Sequence, residues 1–421
     1  MNILMMTNTY KPFVGGVGRS VETFTEEYRK RGHRVVVVAP EFKNMPKGET
    51  DVVRVPAVKN FRQTGFSVPL PVPGIIFKRL RDFQPDIVHS HHPYLIGDSA
   101  VRVAAWYGVP LIFTFHTFYG QYTHYVLDQS LDLKRFVSTL SIEYANLCDS
   151  VFAPSQSVAS LLRQHGVKTP IEVVPTGVHV KEFACGERAG LRASVHIPQD
   201  VFVVGFVSRI APEKNIKFLS EAVAYFLKKE ENAHFLVVGK GSLEGEIKDF
   251  FKREGLAHRL HCLGILQRKD LINAYHSMDV FAFASHTETQ GLVVTEAMAS
   301  GVPVVALDAS GVREVVRDYV NGRLLYAENK KEFAAALQWI VRLSSEEREG
   351  LRKAARNTAH NFSVDQCTEH ALSLYEILMK KGPAHCGTEN IIRTGIICMF
   401  RAEMDLIMIK ARSVGAMLKC K

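Results

Sequence analysis

The 421-residue sequence has no Cys-x-x-Cys pair, no Asp-x-Asp motif and no run of about 18 uncharged apolar residues. Seven scattered cysteines without such a pair argue against a zinc ribbon and a thiol redox site, and they suit a reducing compartment. The lack of a long apolar run argues against a transmembrane helix, and the first ten residues lack the basic start of a signal peptide. We therefore expect a cytoplasmic protein.

Apolar residues make up 47% of the chain and charged residues 23%, which are ordinary values for a globular protein. The length predicts two domains, because a single core rarely grows beyond roughly 250–300 residues. The net charge of +9 is uneven, since residues 1–180 carry 19 Lys and Arg against 14 Asp and Glu. This basic N-terminal part indicates an anionic partner such as a membrane surface or phosphates, although a solvated surface explains the charge equally well.

Short apolar runs alternate with longer helical patterns along the chain, which is typical of βαβ units and parallel sheets. The same plan occurs twice, so we predict an α/β protein of two Rossmann-like domains facing one another across a cleft, with a boundary near 180–200. The predicted parts are residues 1–185, residues 200–363, a C-terminal helix over 364–382 that packs back toward the first domain, and a tail over 383–421. We expect the tail to be a poorly ordered extension; a surface anchor and an oligomer contact are the alternatives.

In open α/β sheets, ligands bind at the carboxyl ends of the strands, so a site is expected in the loops that follow strands. The first such loop, residues 10–18, holds Gly15 and Gly16 before a helix predicted to begin at about Arg19. Glycines there allow backbone N–H groups to approach a phosphate, and plain turn glycines are the alternative. The glycines of residues 239–245 only approximate a dinucleotide fingerprint, which argues against a nicotinamide or flavin enzyme.

A loop in the second half of the chain places Arg209 and Lys214 after a predicted strand and at the start of a helix. Two cations beside a helix N-terminus, which itself favours anions, suit a diphosphate. The competing interpretation is that Glu213 and Glu221 neutralise the two cations in ordinary surface pairs.

The strongest local pattern covers residues 285–305. Glu288 lies in a loop after a predicted strand, and Glu296 lies about one turn inside the next helix, so the two carboxylates can reach different parts of one ligand. Backbone N–H groups at the start of that helix can face its phosphate, and they lie near Gln290, Gly291 and Leu292.

Together these motifs resemble the retaining, two-Rossmann-domain (GT-B) glycosyltransferases of family 4, over residues 1–382 and in the family's order. The resemblance implies that the N-terminal domain binds an acceptor and the C-terminal domain a nucleotide sugar. The implied roles are diphosphate binding by Gly15, Gly16, Arg209 and Lys214, ribose binding by Glu296, contact with the donor sugar by Glu288, and a position near the transferred sugar for His116. Because the cations and helix N-termini can stabilise the leaving nucleotide, no cofactor and no metal ion are expected to be required.

Within the family, Thr287–Leu292 and Phe115–Tyr119, with Tyr122 and Tyr125, look most like bacterial 1,2-diacylglycerol 3-glucosyltransferases. This resemblance implies transfer of glucose from UDP-glucose to a membrane diacylglycerol at the inner face of the cell membrane. A basic, partly apolar helix at 73–83 is of the kind that docks on anionic membranes, although ordinary core packing explains its pattern as well. The residues assigned to the membrane or acceptor side are Lys78, Arg79, Arg81 and His91.

Other functions stay open at this point. The same chemistry can serve a soluble sugar, sugar phosphate or glycan, with GDP-mannose or UDP-galactose as the donor. A nucleotide-sugar-binding scaffold without turnover is disfavoured, because it has no need of Glu288, His116, Arg209 and Lys214 together. Nucleic-acid binding is disfavoured because no aromatic and basic motif of the known modules occurs, and no pattern indicates an oligomeric state.

Overall fold

The computed structural model describes residues 1–13, 15–61, 66–70, 73–119, 131–383 and 391–418. The chain divides into two compact units: Met1–Gly177 with Asp365–Lys421, and Val178–Val364. This division lies a few residues before the boundary expected near 180–200. The reason is that Val178, Val180 and Phe183 are buried in the core of the second unit.

The first unit is built on a parallel sheet whose strands are buried on both faces, as apolar strands in a parallel sheet require. Its strands are β1 (Asn2–Met6), β2 (Arg34–Pro40), β3 (Val52–Val55), β6 (Ile87–Ser90), β7 (Leu111–Thr114), β8 (Ser150–Ala153) and β9 (Ile171–Val173), and a separate pair is β4 (Ala57–Val58) and β5 (Val68–Pro69). The sheet order is β3-β2-β1-β6-β7-β8-β9. The helices before Gly177 are α1 (Gly16–Lys30), α2 (Pro73–Leu80), α3 (Ile96–Tyr107), α4 (Leu131–Ala145) and α5 (Gln156–Gln164).

The second unit repeats the plan with a parallel sheet in the order β12-β11-β10-β13-β14-β15. Its strands are β10 (Phe202–Val207), β11 (Ala233–Val238), β12 (Leu260–Cys262), β13 (Val280–Phe283), β14 (Val304–Leu307) and β15 (Gly322–Leu325). Its helices are α6 (Val180–Phe183), α7 (Arg188–Ser194), α8 (Ile216–Leu227), α9 (Glu244–Arg253), α10 (Arg268–His276), α11 (Leu292–Ala299), α12 (Lys330–Arg342) and α13 (Ser345–His360). The central strands of this sheet are β10 and β13, and the loops that follow them carry Lys214 and Glu288.

Two helices follow, α14 (Val364–Lys381) and α15 (Ile391–Leu418), and most of α14 and all of α15 belong to the first unit. Tyr375 of α14 is fully buried against Tyr28 and Phe152. The expectation of a poorly ordered tail was wrong for residues 391–418, because they form a helix packed on α3 and α4. Within the described residues, no helix is both long enough and apolar enough to cross a lipid bilayer.

Candidate functional site

The loop between β13 and α11 carries Glu288 and turns into the helix through Gly291. Gly291 is the N-cap residue and has φ +75°, a left-handed conformation that costs a non-glycine residue roughly 1–2 kcal/mol. The carbonyl of Glu288 accepts a hydrogen bond from the Gly311 amide at 3.0 Å, and a Cβ at Gly311 would lie 2.4 Å from the backbone of Gln290. The loop is therefore fixed against a neighbouring backbone, and the N-cap residue Gly291 has no side chain to cap the start of α11.

Glu288 and Lys214 form an ion pair, with Lys214 Nζ 2.5 Å from Glu288 Oε1. Lys214 ends a short 3₁₀ turn after β10, so the pair joins the loops that follow two adjacent strands. Each side chain is only 12% exposed, which makes the pair less screened by solvent than a surface pair. The sequence analysis assigned both residues to one ligand site, but no sequence pattern indicated that they would form an ion pair with each other.

The competing interpretation of the two cations holds for one of them and fails for the other. Arg209 lies 2.9 Å from Glu213, as expected for an ordinary pair, and its side chain is 49% exposed. Lys214 instead pairs with Glu288, while Glu221 lies 3.5 Å from Lys330. Lys214 is thus bound to the predicted site rather than to a surface carboxylate.

Glu296 lies in the second turn of α11 and is buried. Its Oε2 accepts a hydrogen bond from the Tyr275 hydroxyl of α10 at 2.8 Å, so the carboxylate is held in one position. Gln290 is also buried, and Leu292 is half-buried at the first position of the helix. Sequence reasoning missed Tyr275, because its position in α10 is that of an ordinary core residue.

The glycines at 239–245 have a packing role that explains their resemblance to a dinucleotide fingerprint. A Cβ at Gly239 would lie 1.9 Å from the Ser208 carbonyl oxygen, and one at Gly241 would lie 2.2 Å from that of Ile210. The Ile210 amide donates to the Lys240 carbonyl at 3.1 Å. These glycines let the two loops lie side by side and thereby fix the loop that carries Arg209.

In the first unit, Gly15 is the extended N-cap residue of α1, and Gly16 is the first residue of that helix. The helix begins three residues before the expected start at Arg19, so Gly16 and Gly18 are helical rather than part of the loop. A Cβ at Gly15 would lie 3.1 Å from the Phe13 ring, whereas one at Gly16 would meet nothing within 4 Å. Gly15 has no side chain to cap the helix, and the first turn, which is described in full, carries no acidic side chain, so the partial positive charge of the helix N-terminus favours an anion there.

His116 follows β7 and is hydrogen-bonded to His91, with His91 Nδ1 2.8 Å from His116 Nε2. His91 is fully buried, whereas His116 stays partly exposed. Within the described residues the other ring nitrogen of His91 has no hydrogen-bond partner. A lone buried acceptor costs less than a lone buried N–H, so the network assigns the proton to His91 Nδ1, which donates to His116.

The neighbouring histidines are held by protein groups. His89 bonds to the Tyr375 hydroxyl at 2.5 Å and to the Thr114 hydroxyl at 2.6 Å. His92 accepts a hydrogen bond from the Asn8 amide at 3.1 Å. Burial lowers the pKa of His89, His92 and His116 to about 3, and it lowers the pKa of His91 well below its ordinary value.

The residues expected on the membrane or acceptor side differ in exposure. Lys78 and Arg79 of α2, and Arg81 just after it, are exposed. His91 has no exposed surface, so it cannot line an acceptor surface itself, and its contact with the surface runs through His116. Tyr122 and Tyr125 lie outside the described residues. Among the described residues, no group of three or more His, Cys, Asp or Glu side chains is placed to hold a metal ion.

Comparison with known proteins gives two family matches, Glycosyltransferase Family 4 over residues 14–182 and Glycosyl transferases group 1 over residues 187–358. The chain is 30% identical to an alpha-monoglucosyldiacylglycerol synthase of Streptococcus pneumoniae over 342 residues, which cover 78% of this chain and 76% of that protein. It is 29% identical to a GDP-mannose-dependent alpha-mannosyltransferase of Mycobacterium tuberculosis over 397 residues, 89% and 96% of the two chains. The crystal structure of Anabaena HepE in complex with UDP-glucose superimposes with a TM-score of 0.72 at 19% identity, over 89% of this chain and 100% of that one. The structural likeness confirms the predicted GT-B fold class of two Rossmann-like domains.

Proposed function

This chain belongs to the glycosyltransferases, with matches to Glycosyltransferase Family 4 and to Glycosyl transferases group 1. We propose that it moves glucose from UDP-glucose onto a membrane lipid such as diacylglycerol. The observation that carries the proposal is the Lys214–Glu288 pair, in which Glu288 lies in the loop that leads to the glycine-capped N-terminus of α11. The Lys214 ammonium group suits a diphosphate, and the Glu288 carboxylate suits the positive charge that develops on a sugar during transfer.

For the donor, we propose that the second unit binds the nucleotide sugar. Lys214 and Arg209 would supply positive charge to the diphosphate, and the N-terminus of α11 would supply backbone N–H groups. The groups proposed for the donor are Arg209, Lys214, Gln290, Gly291 and Leu292 at the diphosphate and Glu296 at the ribose, together with Gly15 and Gly16 at the N-terminus of α1. The complex of HepE with UDP-glucose supports a nucleotide sugar as the donor.

For the reaction, we propose same-face attack by the acceptor hydroxyl, which retains the configuration at the sugar C1. The bond from C1 to the diphosphate oxygen breaks, a bond from C1 to the acceptor oxygen forms, and the hydroxyl proton passes to the departing phosphate. Glu288 stabilises the positive charge at C1, and Lys214 and Arg209 stabilise the negative charge on the leaving group. One such preorganised group is worth on the order of 10²–10³ in rate, so metal-independent transfer is physically reasonable.

His116 has a separate role in this proposal. Because its pKa is lowered to about 3, it stays neutral at pH 7 and contributes a hydrogen bond rather than charge near the transferred sugar. The hydrogen bond from His91 fixes its ring orientation. His91 is therefore a positioning residue.

For the acceptor, the diacylglycerol-modifying relative from Streptococcus pneumoniae and the basic first unit both support a lipid at an anionic membrane surface. A second candidate is the same chemistry with GDP-mannose and a different acceptor, which the mannosyltransferase from Mycobacterium tuberculosis supports. The two candidates share the sugar-transfer site and differ in the donor base, the sugar and the acceptor.

The test is mass spectrometry of products made from UDP-glucose or GDP-mannose in vesicles that contain diacylglycerol and phosphatidylglycerol. We expect a hexosyl-diacylglycerol with UDP-glucose as the donor and no product with GDP-mannose. Glu288→Gln should abolish this product while donor binding survives, and Glu221→Gln makes the same chemical change at an exposed carboxylate of the same unit and should leave the product unchanged. A product from GDP-mannose alone would replace the leading proposal with the second candidate, and binding without any turnover would point to a scaffold.

A further inference from the structure

Helix α15 presents a continuous apolar face away from the core of the first unit. Along this face lie six large apolar side chains between Ile397 and Val414, separated by one to six residues and 43–69% exposed. They are Ile397, Phe400, Met404, Ile407, Met408 and Val414. Because a helix has 3.6 residues per turn, this spacing puts them on one side over about five turns. Isolated exposed apolar residues are normal in soluble proteins, but a contiguous stripe of this kind marks an interaction surface.

The opposite face of α15 is already used by the fold. Ala402, Leu406 and Ile409 are buried in the core of the first unit. Glu403 pairs with Arg102 of α3, and Lys410 Nζ lies 2.5 Å from Asp98 at the start of the same helix. The orientation of α15 is thus fixed from the inner side and from its flank, and the apolar face points outward.

Basic side chains of α15 lie beside this outer face, and an exposed tryptophan lies near the start of the helix. Arg401 is exposed next to Phe400, and Arg412, 2.9 Å from Glu143, keeps 61% of its side chain exposed. At the first turns of α15, a Cβ at Gly395 would lie 4.0 Å from the Trp106 ring, and Trp106 itself is exposed.

Trp106 also connects this region to α2. Its ring centroid lies 5.8 Å from that of Phe77, so α2 with the exposed Lys78 and Arg79 is a close neighbour. An apolar stripe bordered by cations, with an exposed indole beside the same helix, has the composition of a surface that enters the headgroup region of an anionic membrane.

We infer that the outer face of α15 is a docking surface for an anionic lipid bilayer, with the helix lying along the membrane surface. This inference deepens the proposed function and depends on it for its purpose, since an enzyme acting on diacylglycerol must reach the bilayer. A second copy of the chain fits less well. The stripe is about 26 Å long at 1.5 Å per residue and about 10 Å wide, which gives an area of about 260 Å². Each partner of a stable complex buries about 800 Å², so the stripe is too small to hold a stable dimer together by itself.

The test is binding of the full chain to vesicles without any nucleotide sugar, so its outcome does not depend on the proposed reaction. We expect co-sedimentation with vesicles of phosphatidylcholine containing 30% phosphatidylglycerol, and weaker binding to pure phosphatidylcholine, where about 30% is chosen to match a moderately anionic surface. The double substitution Phe400→Ser and Ile407→Ser should weaken binding to the anionic vesicles on the order of 10-fold or more, because two inserted apolar side chains are lost. The matched control, Ile265→Ser with Tyr326→Ser, removes equally exposed apolar side chains from the second unit and should bind as the unmodified protein does.

A fluorescence measurement gives an independent readout at the same place. The chain has two tryptophans, so Trp339→Phe leaves Trp106 as the reporter, and brominated lipids should quench it on binding. Unfolding curves must match between the Phe400→Ser, Ile407→Ser protein and its control, so that lost binding reflects the surface and not the fold. Equal vesicle binding by both double variants, or no binding by the unmodified protein, would overturn the inference. So would a dimer of the unmodified protein that the outer-face variant converts to a monomer while vesicle binding is unchanged.

Discussion

Acidification should destabilise the first unit, because it buries histidines that stay neutral. In an unfolded chain a histidine has a pKa of about 6.5, whereas burial lowers the pKa of His89 and His92 to about 3. Above pH 6.5 both states are neutral and these residues contribute nothing to pH dependence. Below pH 6.5 the unfolded chain binds protons that the folded unit does not, so stability is lost as pH falls from 6.5 toward 3.

The size of the effect follows from those two pKa values. For one histidine, linkage gives a loss of ~2 kcal/mol between pH 7 and pH 5. His89 and His92 are almost fully buried, so together they account for ~4 kcal/mol, and the lowered pKa values of His91 and His116 act in the same direction. This is a large share of a typical unfolding free energy of about 5–15 kcal/mol.

The assay is urea unfolding followed through Trp106, the tryptophan of the first unit, in a Trp339→Phe background. With a denaturant slope of about 2 kcal/mol per molar, the midpoint should fall by ~2 M between pH 7 and pH 5. His89→Gln, which removes one titrating ring, should recover ~1 M of this pH-dependent shift, the part that one ring contributes. An unchanged midpoint at pH 5 would refute the reasoning, because it would mean that the rings are protonated in the folded unit.

Three further perturbations have defined outcomes. Lys214→Met and Glu288→Gln, alone and combined, should show a coupling of ~2 kcal/mol in a double-mutant cycle of unfolding free energies, and additive effects would contradict a functional ion pair. His91→Ala should lower kcat more than it raises KM, because it releases the ring of His116; equal stability and unchanged kcat would remove its positioning role. Leu406→Ala should cost about 2–5 kcal/mol in the first unit and Phe400→Ala less than about 0.5, as calorimetry can check; similar costs would contradict the assigned inner and outer faces of α15.

The repeated alternation of apolar runs and helical patterns was enough to predict both parallel sheets. The strands at Val280–Phe283 and Val304–Leu307 are fully buried, and a buried parallel strand of this kind is a short continuous apolar run that is visible in the sequence. The edge strands β3 and β15 are not marked by such a run. Each has a half-buried arginine, Arg54 or Arg323, that breaks the apolar run.

The tail was the largest error, and it has a physical origin. Apolar residues lie on both faces of α15, with Leu406 turned inward and Ile407 outward, so no single apolar stripe marks the helix in the sequence. Two of its charged residues, Glu403 and Lys410, form ion pairs with α3. Such long-range partners are not visible from local spacing.

The candidate site was predicted in part. Predicted strand ends placed Lys214 and Glu288 in loops, and the two loops are adjacent because β10 and β13 pair in the sheet although two strands separate them in the chain. The partner of each charge depended on tertiary packing, as did the hydrogen bond from Tyr275 to Glu296. Burial of His91 was likewise beyond local spacing, since a histidine after a strand is as compatible with a surface as with a core.

The most direct test of the central claim is the anomeric configuration of the glycolipid made from UDP-glucose and diacylglycerol in anionic vesicles, with EDTA present throughout. Proton NMR of the purified product distinguishes the two anomers by the coupling between the hydrogens on C1 and C2 of the sugar. Retaining, metal-independent transfer predicts an α-linked glucosyl-diacylglycerol, formed at the same rate with and without EDTA. A β-linked product would contradict same-face attack, loss of the product in EDTA would contradict metal independence, and absence of any glycolipid would contradict the lipid acceptor.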